Sequence, residues 1–281
     1  MIPFFIRRLA PVLLGGVCAG LTVRQARMPA ENADTWFHLR MGQEFLDGWS
    51  VSSPGHLGVF DTAEWVATQW LAQIGMAQTY DLLGVAGVVW VAALIHCTIS
   101  LTLYLVCRRE FSALAAIAAT LVGWLAIAPG LSARPQVFSY LAFVALVLAW
   151  RGMAADGRPR WGLIPLVLVW GPVHGMWVLG IIATVVMTVG TWLDRRPDRR
   201  SALALAAVPA AQVVVSFLTP VGWGAYEALF SVGSRAAYFT EWQSPNLLSG
   251  TNLAAVTMLV VVLAVRLTSR EAYGWTDTLM L

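Results

Sequence analysis

Eight runs of this chain carry almost no charge, at about residues 9–23, 82–106, 111–129, 136–150, 161–172, 176–193, 201–218 and 251–267. In hydrocarbon such a run must satisfy its backbone N–H and C=O groups internally, and a helix does so. The runs therefore predict an all-α fold, a polytopic transmembrane helix bundle with about eight membrane segments. Composition agrees. The 281 residues are 58% hydrophobic and 12% charged, where a soluble chain carries about 25% charged residues. Several runs fall short of the roughly 20 residues a full crossing takes. Runs 161–172 and 176–193 are close enough to be one helix. Pro172 and Gly175 predict a break instead, because proline lacks a backbone donor and clashes with the preceding turn.

The 18 basic residues are all arginine, and their placement assigns the sides of the membrane. We start Arg7 and Arg8 in the cytoplasm and alternate. Arg108, Arg109, Arg151, Arg158, Arg160, Arg195, Arg196, Arg199, Arg200, Arg266 and Arg270 then share their side. The other side holds only Arg24, Arg27, Arg40, Arg134 and Arg235. A single helix over 161–193 would move the cluster Arg195–Arg200 outside, so the break is expected. The outer connections are then a long loop 24–81, 130–136, 171–175 and 219–250. A signal peptide over the first run would leave this topology unchanged. Abundant alanine without lysine points to a GC-rich bacterial source, hence to a bacterial inner membrane. The whole of 1–281 reads as one transmembrane domain. Its last residues, Gly274 to Leu281, look like the first turn of another helix, so a further C-terminal region or a partner subunit is expected.

Polar chemistry collects on the outer side. Asp34 and His38 in Asp34-Thr-Trp-Phe-His-Leu-Arg40 are four apart, so a helix puts them on one face. Asp34 and His38 are candidates for acid–base work, with Arg40 and Trp36 as substrate contacts. The plain alternative is an interfacial helix that Asp34 caps. A second interfacial helix is expected over about 62–80, because Asp61-Thr-Ala-Glu64 has capping-box spacing. Glu64 is a further catalytic candidate, and Gln69 and Trp70 are candidate substrate contacts. Arg134, followed by Pro135 and Gln136, offers a guanidinium fork for a phosphate; the alternative is a snorkelling anchor. His174 lies in the expected break, where non-helical backbone at membrane depth implies a cavity or protein partners. Glu241 is a loop carboxylate or a substrate contact. Asp34, His38, Arg134 and His174 are expected to line one outward cavity. His96, in mid-segment, is expected to be neutral and bonded to a neighbouring helix. Cys18, Cys97 and Cys107 read as apolar fillers. There is no His-Glu-x-x-His, no Gly-x-Ser-x-Gly and no nucleic-acid signature, so zinc hydrolase, serine hydrolase and nucleic-acid partner are set aside.

The run Asp34-Thr-Trp-Phe-His-Leu-Arg40 resembles the Asp-Pro-Trp-Phe-Asn-Tyr-Arg run of oligosaccharyltransferase catalytic subunits, matching at Asp34, Trp36, Phe37 and Arg40. With an acid soon after the first hydrophobic run and a long first outer loop, the chain resembles the glycosyltransferase C superfamily. That resemblance implies a membrane glycosyltransferase that takes a sugar from a polyprenyl-phosphate carrier. Asp34 would be base or metal ligand for magnesium or manganese, and Arg134 with Arg40 or His174 would stabilise the phosphate. The Trp-Trp-Asp acceptor motif and the soluble C-terminal domain of oligosaccharyltransferases are absent, so asparagine glycosylation is not implied. Two other classes stay open: a flippase or transporter of lipid-linked sugars, and a non-catalytic membrane subunit.

Overall fold

A computed structural model describes residues 32–58, 65–127, 130–234, 244–269 and 273–280, with a few helical positions between 9 and 20. Every regular element among them is a helix. In chain order these are α1 (Ala33–Leu46), α2 (Trp70–Glu110), α3 (Ala113–Ile127), α4 (Gln136–Asp156) and α5 (Leu163–Trp170). They continue with α6 (Trp177–Arg195), α7 (Arg199–Ser216), α8 (Gly224–Ser234), α9 (Gly250–Thr268) and α10 (Trp275–Leu279).

Three of the described helices are long and apolar enough to cross a membrane: α2, α4 and α6. The expectation of eight segments is not met at that standard. Helix α3 has 15 residues and α5 only 8. At about 1.5 Å per residue, α5 is about 12 Å long against a hydrocarbon core of about 30 Å. Helix α7 opens on Arg199 and Arg200 and carries Pro209. Most of the run 9–23 lies outside the described residues. The outward side of α2 is apolar in the way lipid demands: Leu82, Leu94, Leu101 and Leu105 are all more than half exposed. Such a surface is foreign to a soluble monomer.

The break between α5 and α6 is present. The N–H groups of Val173 and His174 both donate to the Trp170 carbonyl, and helix resumes where Trp177 N–H donates to His174 O. The expected helix over 62–80 is shorter at its start, beginning at Trp70. Tertiary contacts explain this. Trp65 N–H donates to Gly55 O, and Thr68 N–H donates to Val66 O, which commits 65–68 to loop. The capping box itself, Asp61 to Glu64, lies outside the described residues. Helix α2 is interrupted at Gly84, whose φ of 65° is left-handed. Glycine takes that conformation without a Cβ penalty. The short arm from Trp70 is thus set off from the apolar remainder.

By its contacts the chain divides into two compact units. One comprises Met1–Trp36, Thr79–Val137 and Gln243–Arg270; the other comprises Phe37–Gln78, Phe138–Trp242 and Glu271–Leu281. In the first, α9 packs on α3. In the second, α5, α6 and α7 pack on one another and α10 lies along α6. The core of the second unit is built round Trp170, Trp177, Leu146, Met187 and Leu205, all essentially buried. His96 is also buried. Its Nε2 has no hydrogen-bond partner among the described residues, contrary to the bond expected for it. Cys97 and Cys107 are half-buried and form no disulfide among the described residues.

Candidate functional site

Helix α1 starts where it does because of Asn32. Its Oδ1 accepts from the Asp34 N–H at 2.9 Å, and its carbonyl accepts from the Thr35 N–H at 3.0 Å. Asn32 is therefore the cap. Asp34 is the second helical residue, which corrects the capping alternative for it. A carboxylate in a first turn suits the positive end of the helix dipole. More to the point, it leaves the Asp34 side chain available for something else.

That something is Arg134. Its Nη1 donates to Asp34 Oδ2 at 2.8 Å, and both residues belong to the first unit. Arg134 sits in the tight turn before α4, where its N–H donates to Ser132 O and its carbonyl accepts from Val137 N–H. The turn folds the side chain back, so that Nε donates to Ser132 Oγ at 2.8 Å. The Arg134 side chain is 10% exposed and that of Asp34 54%. A largely buried cation is thus held by a carboxylate that faces solvent. A snorkelling anchor would leave its guanidinium exposed, and this one is largely buried. Such a pair offers a proton acceptor and a phosphate-seeking cation side by side.

The second unit holds two histidine sites. His38 is buried on α1 and its Nδ1 lies 3.1 Å from Gln73 Nε2 of α2. The two helices approach closely there because residue 42 is glycine: a Cβ at Gly42 would overlap the Gln73 carbonyl. Phe37 stands edge-on to His38 and to Trp65, and Phe45 stacks on Trp65. Gln69 Oε1, Trp70 Nε1 and Gln73 Oε1 are buried without partners among the described residues. These are polar atoms at the start of α2, where sequence reasoning placed Gln69 and Trp70 as contacts. Gln73 was missed.

His174 occupies the break between α5 and α6. Its Nδ1 lies 2.9 Å from Ser139 Oγ of α4, and the Met176 N–H reaches the same nitrogen at 3.4 Å. Ser139 Oγ in turn accepts from Trp170 Nε1 at 2.8 Å. Leu71 N–H donates to Pro172 O at 3.0 Å, tying the first turn of α2 to this break. Ser139 and Trp170 were also missed by sequence reasoning. A serine in an apolar helix carries no signal until its partner is known.

The remaining candidates fall elsewhere. Arg40 pairs with Glu44 four residues on, with its side chain 66% exposed. Trp36 is exposed. Gln136 opens α4. Glu64 and Glu241 lie outside the described residues. Among the described residues no three His, Cys, Asp or Glu side chains are placed to hold a metal ion. Asp34 offers one carboxylate, already turned to a guanidinium.

No family model matches this chain, and no curated protein or solved structure does either.

Proposed function

We propose that this chain is a membrane glycosyltransferase that moves a sugar from a polyprenyl-phosphate carrier to an acceptor hydroxyl on the outer face of a bacterial inner membrane. The observation that carries the reading is the Asp34–Arg134 pair, a solvent-facing carboxylate bonded to a largely buried guanidinium. Transfer needs both groups. The acceptor O–H bond breaks as Asp34 takes the proton. The acceptor oxygen bonds to the anomeric carbon, and the bond from that carbon to the phosphate oxygen breaks. The departing polyprenyl phosphate carries the electron pair, and a guanidinium is suited to hold that charge. An incoming phosphate competes with Asp34 for Arg134, so substrate binding itself would free the base.

Eight crossings with a cytoplasmic N-terminus belong to the same proposal. Their support is the arginine distribution, since thirteen of the arginines named above fall on one side and five on the other. Impermeant thiol reagent applied from outside should label cysteines placed at 34 and 174, with Cys18, Cys97 and Cys107 replaced first. Labelling from the cytoplasmic side alone would refute the orientation.

The decisive experiment reconstitutes the full chain in vesicles with a labelled polyprenyl-phosphate sugar and a lipid acceptor. Sugar transfer that depends on Asp34 and Arg134 supports the proposal. Movement of the intact lipid across the bilayer without transfer would make the chain a flippase. Neither activity, under conditions in which the protein is folded, leaves a non-catalytic subunit.

A further inference from the structure

We infer that Ser139 is a positioning residue that commits His174 to one tautomer, with the ring proton on Nε2. The argument is one of donors and acceptors. The indole Nε1–H of Trp170 can only donate, so the Ser139 oxygen accepts it. The Ser139 hydroxyl has a single proton of its own. Two arrangements span the 2.9 Å between Ser139 Oγ and His174 Nδ1. Either Ser139 donates to a bare Nδ1, or an Nδ1–H donates to Ser139.

Met176 separates them. Its backbone N–H also can only donate, and it points at the same Nδ1. A proton on Nδ1 would face that N–H head-on. It would also leave the hydroxyl proton of Ser139 without an acceptor, in a residue with 0% exposure. A buried polar hydrogen without a partner is costly. Donation from Ser139 removes both conflicts. The chain of bonds then runs one way, from Trp170 through Ser139 to His174, and the ring proton sits on Nε2.

Trp170 is 0% exposed and anchored in the core of the second unit, so this orientation is held from a rigid base. A backbone break alone would let the imidazole turn. With Ser139 in place, the His174 ring is held in one orientation, with Nδ1 as acceptor and the ring proton on Nε2.

The test does not depend on transfer. The full chain is labelled with nitrogen-15 histidine, held in detergent micelles, and its ring nitrogens are observed by NMR above the pH range of histidine titration. His174→Gln assigns the signals. We expect one tautomer for His174, with Nδ1 unprotonated and Nε2 protonated. In Ser139→Ala both tautomers should appear. Should that variant fail to fold, Ser139→Cys keeps the size with a weaker donor and should also give a mixture. A protonated Nδ1 in the wild type, or an unchanged single tautomer in a folded Ser139 variant, would overturn the inference. A single Nε2–H tautomer in a protein that transfers no sugar would sustain it and remove the glycosyltransferase reading alone.

Discussion

Asp34 and Arg134 stand 100 residues apart in the sequence and are joined by a 2.8 Å ion pair. The cation is the buried member and the anion the open one. That asymmetry separates the contributions of the two charges. Asp34→Asn keeps an oxygen for the largely buried guanidinium to donate to, whereas deleting the acceptor altogether would leave that charge unpaired at a much larger cost. If Asp34 takes up the acceptor's proton, Asp34→Asn should lower transfer by about 10²–10⁴-fold. The melting temperature should change little. Normal turnover by a folded Asp34→Asn protein ends the proposal that this carboxylate does the chemistry.

Two helix caps of different chemistry predict different responses to acid. Asn32 caps α1 and does not titrate. Asp198 caps α7, and hydrogen bonds from the side chain and then the backbone of Ser201 hold its carboxyl below the usual range. A depressed carboxylate contributes stability that is complete above its unfolded value. That contribution is lost as pH falls through the folded one. The protection of the Ser201 amide, its exchange taken relative to the intrinsic rate at each pH, should therefore fall as pH drops below the carboxylate range, while that of the Asp34 amide shows no such step. Asn32→Ala should cost about 0.5–2 kcal/mol at any pH. Equal acid sensitivity at the two caps would contradict this assignment.

Gly42 sets the distance between α1 and the first arm of α2. A methyl group there would overlap the Gln73 backbone, which cannot swing aside as a side chain could. Overpacking of this kind costs roughly 1–3 kcal/mol. Gly42→Ala should lower the melting temperature and break the His38–Gln73 contact. A fully stable Gly42→Ala protein would show that the two helices have room to part.

Much of the layout was legible in the sequence, for identifiable reasons. The α5–α6 break follows from Pro172 and Gly175, which act through local backbone chemistry. The arginine pattern gave an orientation to propose but no contacts. The cap was misassigned because two residues able to cap stand two apart, Asn32 and Asp34, and only geometry tells which carbonyl and side chain face the free amides. The late start of α2 depends on Trp65 bonding to Gly55, a tertiary event that overrides a local signature. Gln73 and Ser139 were invisible for the same reason. Each is an ordinary helical residue until a histidine from another element arrives beside it.

His96 tests whether every buried polar group here is functional. It is 7% exposed and its Nε2 has no partner among the described residues. A buried polar atom in that state costs about 1–3 kcal/mol. Replacing it by a similar apolar side chain removes the cost. His96→Leu should therefore melt at an equal or higher temperature and leave transfer unchanged. A loss of transfer in a stable His96→Leu protein would instead mark His96 as part of the chemistry.

Asp194 closes the second unit at its far end. Its carboxylate accepts from the N–H groups of Trp275 and Thr276 and from the Thr276 hydroxyl, at 2.5, 2.8 and 2.7 Å. It thus caps α10 from another helix, meeting amides that α10 cannot satisfy itself. Thr276 is 2% exposed, so the contact is sealed against water. Asp194→Ala removes all three acceptor contacts at once and should release 274–280 from α6. Limited proteolysis should then cut near Trp275 at a protease concentration that leaves the wild type whole. Asp194→Asn keeps one acceptor oxygen but turns its NH2 toward the donors on the other side, so it should restore only part of the protection. If Asp194→Ala resists protease as the wild type does, α10 is held by its apolar contacts and the carboxylate is incidental.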